Sequence, residues 1–466
     1  MTGYKSTRGG IDGRDFESVL LAGLAEDGGL FVPAAWPRFS AADLRRMRAM
    51  TYPELAAEVL APFTEGCFTR ADLLEMASAV YGRFDHPAVA PLKQLDTDLW
   101  LLELFHGPTL AFKDFAMQLL AEMFDRVLTR RGETITIVGA TSGDTGAAAV
   151  QAFAGKSQVR VAMLHPEGRI SPVQRRQMTT ILADNVLNIA LAGTFDDCQD
   201  LVKAMFADQP FRTRINMSAV NSINWARIAA QSVYYFWAAL RLGAPDRPSA
   251  FCVPTGNFGN VYAGWAARQM GLPIEQLTVA TNANDILARF FEGGVYAKDG
   301  VVPTMSPSMD IQVASNFERL LLDLEGNDAG GVRRRMASFA QSGEFEVDHG
   351  SLERVSTFMK GGSASERATA AMIANTHERT GELVDPHTAV ALHVAELHMP
   401  PKGVPMISLS TAHPAKFPDA VATASGIHPA LPPRYAHLMD LPESTVTAGN
   451  DLREVETLIT ERFSIS

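Results

Sequence analysis

From about Leu99 onward, short apolar runs alternate with segments of helical period, and this alternation narrows the fold more than any other feature of the chain. Leu99–Phe105 precedes a helix expected from about Asp114, and Thr134–Val138 precedes one from Asp144. Val159–Leu164, Leu187–Leu191, Phe251–Val253, Leu277–Ala280 and Met406–Leu409 continue the series. Strands apolar on both faces and separated by helices belong in a parallel sheet covered on both sides. Before about residue 92 the pattern is different. Ser40 to Asp43, Thr51 to Glu54 and Thr69 to Asp72 each read as a capping box, in which a hydroxyl and a carboxylate satisfy the first backbone N–H groups of a helix. A small, mostly helical N-terminal unit is therefore expected. Gly293-Gly294 and Gly330-Gly331 are expected to mark loops.

Composition excludes several function classes. The chain has 466 residues, enough for several packing units, and its 47% hydrophobic and 20% charged residues are those of a globular protein. A net charge of −11 provides no basic footprint for nucleic acid or an anionic membrane. Any phosphate site must then be local, built from backbone N–H groups and a few cations. Cys67, Cys198 and Cys252 have no CxxC spacing, which argues against a disulfide framework and a Cys-rich zinc site. Met1–Phe16 lacks an apolar core, and no uncharged run reaches the roughly 18 residues of a membrane span. A cytoplasmic protein is expected.

Ligands of open parallel sheets sit at the carboxyl ends of strands, beside helix N-termini. Three segments have that placement: Thr141–Gly146, Gly256–Asn260 and Ser408–His413. Singly, a Gly-rich strand-to-helix turn is ordinary α/β geometry. None is a dinucleotide fingerprint or a Walker loop, and together they suit a phosphate plus a substrate with anionic groups of its own. Lys113 lies just after a strand between Phe112 and Phe115, where desolvation favours the neutral amine that a Schiff-base lysine needs. The bland alternative is a snorkelling lysine at a helix start. A reactive lysine with a phosphate cradle is the specification for pyridoxal phosphate, an aldehyde held by an imine and a phosphate. Competing chemistries lack anchors: His387, His393 and His398 scatter around a helix, and neither HExxH nor GxSxG occurs. No metal is expected.

Leu104–Phe115 (LFHGPTLAFKDF), Ala140–Gly146 (ATSGDTG), Asn221–Arg227 (NSINWAR), Pro254–Asn260 (PTGNFGN) and Thr411–Phe417 (TAHPAKF) resemble the threonine synthase family in the right order along nearly the whole chain. Ser6-Thr-Arg8 and Asp27–Phe31 are similar to its branch with an extra N-terminal unit. The resemblance implies a pyridoxal-phosphate-dependent carbon–oxygen lyase that converts O-phospho-L-homoserine and water to L-threonine and phosphate by γ-elimination and β-hydration. It implies two α/β units with mostly parallel sheets and the cofactor in the cleft between them. The boundaries expected are 1–92 for the N-terminal unit, 93–124 with 216–466 for the large domain, and 125–215 for a smaller mobile domain. Lys113 would carry the cofactor and move protons, Gly256, Asn257, Phe258, Gly259 and Asn260 would hold its phosphate, and Thr411 would meet its pyridine nitrogen. Asp144 stands where many relatives place Asn near the cofactor's 3′-oxygen, so it needs a proton or another orientation. Thr141, Ser142, Thr145, Ser222, Asn224 and Arg227 are the candidates for the substrate's carboxylate and phosphate. Neither nucleic acid nor membrane is an expected partner, and a monomer or weak dimer is expected. The rival readings are a serine or threonine dehydratase-type lyase and a non-catalytic amino-acid-binding relative.

Overall fold

The computed structural model describes residues 3–219 and 222–465, which fall into two compact units: Met1–Gly107 with Ser222–Pro429, and Pro108–Asn221 with Ala430–Ser466. The larger unit holds a six-stranded sheet in the order Met359–Ser363, Ile274–Thr281, Ser249–Pro254, Met406–Ser410, Leu99–Glu103, Leu92–Asp96. Every pairing is parallel except the last. The smaller unit holds five parallel strands in the order Val446–Ala448, Val186–Leu191, Val159–Pro166, Ile135–Ala140, Met217–Ser218. Ser249–Pro254, Met406–Ser410 and Val186–Leu191 are buried at every position, as a sheet covered on both faces requires.

All seven apolar runs named from the sequence are strands. The N-terminal region is helical, and the boxes at Ser40, Thr51 and Thr69 are in place. Asp43, Glu54 and Asp72 accept from the cap N–H at 3.0, 2.7 and 2.8 Å, a contribution of about 1 kcal/mol per capped helix. An antiparallel pairing of Tyr4–Ser6 with Phe31–Pro33 precedes these helices.

Three expectations need correction. The first 92 residues are part of the larger compact unit, because helix Tyr52–Leu60 packs on helix Trp225–Arg241. Trp225 is buried against Tyr4, Trp36 and Phe63, with ring centroids 6.1, 5.9 and 5.5 Å away. Second, residues 108–124 and 430–466 belong to the smaller unit. Helix Lys113–Arg131 packs on helix Asp144–Phe153, strand Val446–Ala448 extends the five-stranded sheet, and Val455, Ile459 and Phe463 enter its core. Third, Gly293 and Gly294 end a helix as expected, but Gly330 and Gly331 lie in the first turn of helix Ala329–Ser342. Asp328 caps that turn by accepting from Gly330 N–H at 2.8 Å, which offsets glycine's poor helix propensity.

Helix Phe317–Leu324 holds a half-buried carboxylate against helix Gly259–Gln269 of the larger unit. Asp323 accepts from Trp265 Nε1 at 2.6 Å and Tyr262 Oη at 3.3 Å, and burial pushes its pKa up to about 6. The folded state therefore holds a proton that the unfolded chain releases at lower pH. Stability from this group is complete below about pH 4 and is lost as pH rises through about 6. Asp323→Asn keeps an oxygen for Trp265 and removes the buried charge. Urea melts should show the variant more stable than wild type by about 2 kcal/mol at pH 8 and with little advantage at pH 4. An equal difference at both pH values would exclude this titration.

Candidate active site

In the smaller unit, Lys113 is the first residue of helix Lys113–Arg131, and the turn before it is held tightly. Asp114 is fully buried and takes both donors of Thr109: backbone N–H at 2.7 Å and Oγ1 at 2.8 Å. Between them Leu110 has φ 58°, a left-handed conformation rare for a branched side chain. Lys113 Nζ lies 3.2 Å from Asp144 Oδ2, with side chains 12% and 6% exposed. Breaking such a pair costs several kcal/mol, although forming it adds little stability. Its retention points to chemistry at Nζ.

Asp144 opens helix Asp144–Phe153, directly after the strand Ile135–Ala140. Its other oxygen, Oδ1, accepts from Gln174 Nε2 at 2.9 Å. Both oxygens are thus engaged, and the orientation left open by the sequence is set: the carboxylate faces the lysine amine. Gln174 and Gln177 are three apart on helix Pro172–Thr179, and Gln177 Nε2 donates to Thr109 O at 3.0 Å. One helix face braces both segments that carry the ion pair. Sequence reading missed both glutamines; their signal was the i,i+3 spacing behind the Ser171-Pro172 helix start.

Thr141 does not present a free acceptor to a ligand. Its Oγ1 accepts from Gly143 N–H at 3.0 Å and Gly146 N–H at 2.9 Å, closing the loop on itself. A Cβ at Gly146 would lie 2.3 Å from Thr141 Cγ2, so glycine is needed there. Ser142 is exposed and Thr145 half-buried, so both remain available.

In the larger unit, the neighbouring parallel strands Ser249–Pro254 and Met406–Ser410 deliver residues 255–258 and Thr411 from the same sheet edge. Phe258 has φ 62° and starts helix Gly259–Gln269. A Cβ at Gly256 would meet Ser308 O at 2.8 Å, whereas one at Gly259 would meet the Asn316 side chain at 3.2 Å. An added side chain would thus meet fixed backbone at Gly256 and a movable side-chain amide at Gly259. Asn257 O accepts from Asn316 N–H at 3.1 Å and Nδ2 at 3.0 Å. Asn260 Oδ1 accepts from Tyr234 Oη at 2.6 Å, while its Nδ2 is buried with no partner. Thr411 is 5% exposed just beyond its strand.

Of the second substrate group, Asn221 lies outside the described residues and Ser222 is half-buried. Asn224 is occupied structurally: Oδ1 caps helix Trp225–Arg241 through Ala226 N–H at 3.0 Å, and Nδ2 donates to Leu20 O at 2.8 Å. Arg227 sits in the first turn of that helix, 3% exposed, with buried Nε and Nη1 lacking any partner. Burial lowers its pKa to about 10, so it remains a cation at neutral pH. A buried cation with unfilled donors implies an anion.

Residues 85–341 match the family model "Pyridoxal-phosphate dependent enzyme", residues 3–81 match "Threonine synthase N terminus", and residues 388–459 match "Threonine synthase, C-terminal". A threonine synthase of Pseudomonas aeruginosa is 50% identical over 98% of both chains. The chain belongs to the threonine synthase family. Another threonine synthase, from Methylobacillus glycogenes, is 44% identical over 99% of this chain and all of its own. The PLP-bound threonine synthase structure from Brucella melitensis superposes with a TM-score of 0.98 at 51% identity, covering 99% of each chain. A tomato threonine deaminase, at 12% identity and a TM-score of 0.51 over 77% of this chain and 92% of its own, shares the fold alone.

Membership of the threonine synthase family implies pyridoxal phosphate, and the residues present fit it. An amine held at a defined place, a glycine loop closed against fixed backbone and the unfilled donor of Asn260 match an aldehyde and a phosphate. Among the described residues, no group of three His, Cys, Asp or Glu could hold a metal, and no helix is long and apolar enough to cross a membrane. Gly256→Ala should raise the dissociation constant for pyridoxal phosphate about tenfold or more through the strain of moving Ser308, and Gly259→Ala should raise it less. Equilibrium dialysis on folded variants checks the order, and the reverse order would contradict the packing.

Proposed function

We propose that this chain makes L-threonine and inorganic phosphate from O-phospho-L-homoserine and water, with pyridoxal phosphate as its cofactor. The observation that carries the reading is Arg227, a buried guanidinium whose Nε and Nη1 have no partner in the protein. A substrate with a phosphate of its own, distinct from the cofactor's, fills that need. A dehydratase substrate has no γ-phosphate and would leave the charge unanswered.

Lys113 is the amine that would hold the cofactor covalently and afterwards take and return protons at Nζ. Asp144 would position that nitrogen, beside the place near the cofactor's 3′-oxygen that the family resemblance gives it. Gly256, Asn257, Phe258, Gly259 and Asn260 would receive the cofactor's phosphate, with Thr411 offering its hydroxyl to the pyridine nitrogen. When bound, pyridoxal phosphate supplies the electron sink that makes protons on the substrate's carbons removable. Ser142, Thr145 and Ser222 are the hydroxyls left for the substrate's carboxylate and phosphate. Arg227 grips the leaving phosphate, whose charge grows as its bond to carbon breaks. Cys67, Cys198 and Cys252 are buried and form no disulfide, which supports a cytoplasmic setting.

Cofactor-loaded protein given O-phosphohomoserine should release phosphate and threonine in equal amounts. Phosphate release without threonine, or production of a 2-oxo acid instead, would overturn the assignment. Arg227→Met should lower kcat/KM by about a hundredfold or more, the usual effect of losing one charge-stabilising donor. Cofactor affinity and melting temperature should be unchanged, because the variant removes a buried charge and keeps the side-chain volume. Wild-type kinetics in this variant would show that the phosphate binds elsewhere.

A further inference from the structure

Helix Phe317–Leu324 and its cap hold two polar side chains that no step above uses. Asn316 and Arg319 are both fully buried. The hydrogen bonds of Arg319 go to carbonyl oxygens and to no carboxylate. Nε donates to Phe31 O at 3.0 Å, Nη2 to Ile223 O at 2.6 Å, and Nη1 to Asn316 Oδ1. Asn316 then turns its Nδ2 toward Ser222 O at 3.2 Å and Asn257 O at 3.0 Å, and its backbone N–H also reaches Asn257 O. The adjacent Glu318 binds Arg8 at 2.9 and 3.1 Å and Thr7 Oγ1 at 2.5 Å. One helical turn thus ties together the N-terminal segment, the loop before Arg227 and the loop assigned to the cofactor's phosphate.

A planar trans peptide points its N–H opposite to its carbonyl oxygen. Drawing the oxygens of Ile223 and Asn257 toward Arg319 and Asn316 turns the N–H groups of Asn224 and Phe258 the other way. These two residues cap helices Trp225–Arg241 and Gly259–Gln269, where donors and helix dipoles both favour an anion. Burying a guanidinium with no carboxylate bonded to it is costly even with the Trp225 ring 5.8 Å away, and an apolar residue would fill the space at lower cost. Orientation of the loops explains its presence.

We infer that Asn316 and Arg319 form a positioning pair that sets the peptide orientation of both anion loops at once and links it to the N-terminal segment. The inference rests on the assignment of those loops to two phosphates. The pair touches neither ligand. Through Phe31 O on Arg319 and Leu20 O on Asn224, residues near the N-terminus contribute to affinity for both.

Asn316→Asp tests this. The carboxylate still accepts from Arg319, so the guanidinium keeps its hydrogen bond, but an acceptor now faces Ser222 O and Asn257 O. Apo-protein titrated with pyridoxal phosphate, and cofactor-loaded protein titrated with inorganic phosphate, should each show a dissociation constant raised about tenfold. KM for phosphohomoserine should rise with them, kcat should stay within about threefold, and the urea midpoint should hold. Arg319→Lys, which keeps the charge with fewer directed donors, should fall between wild type and Asn316→Asp. Both dissociation constants within about twofold of wild type, or a change in only one of them, would overturn the coupling. If Asn316→Asp does not fold, Asn316→Ser takes its place in both titrations, with the same result expected and the same results overturning the coupling. Wild type that binds both ligands yet makes no threonine would count against the proposed reaction, and the two titrations would still decide the coupling.

Discussion

The contact on which the site depends is the ion pair between Lys113 and Asp144. An ammonium and a carboxylate that are nearly buried gain little stability from each other once desolvation is counted. Much of the surrounding structure keeps them in place. Asp114 locks the turn ahead of the lysine, Gln174 holds the far oxygen of Asp144, and Gln177 fixes the carbonyl of Thr109. Parallel topology makes this economical. The neighbouring strands Ile135–Ala140 and Val159–Pro166 end at the same edge, so the helix after each begins beside the other.

The larger unit solves a different problem, that of binding anions in a chain with a net charge of −11. It does so with few cations, each buried. Arg227 has two buried donors that no protein group fills, whereas Arg319 commits its donors to protein oxygens. Both guanidiniums have pKa values lowered to about 10 by burial, and both still carry charge at neutral pH. On the proposed reading, one cation addresses the substrate and the other the backbone that would cradle it.

The strands, the capping boxes and the three loops were legible in the sequence because each depends on a local pattern: apolar runs, a hydroxyl three residues before a carboxylate, glycines after a strand. Lys113 stood out by its apolar flanks and its motif, whereas its contact with Asp144 did not. Residues whose roles depend on distant partners were not legible. The structural contacts of Thr141 and Asn224 were not visible, since a hydroxyl or amide near a helix start has the same appearance whether it faces solvent or the protein's own backbone. Gln174, Gln177, Asn316 and Arg319 had no signal beyond an i,i+3 spacing, because the other partners that define their roles lie between 30 and 288 positions away. The unit boundaries slipped for a similar reason: the short strand Val446–Ala448, which carries the C-terminus into the smaller unit, has only three residues.

Reducing the cofactor-loaded protein with borohydride fixes the cofactor on whichever lysine holds it, and peptide mapping then reads the position. Label is predicted on the peptide containing Lys113, and none after Lys113→Ala. Label on Lys416 or any other lysine would contradict the central role given to the Lys113–Asp144 pair.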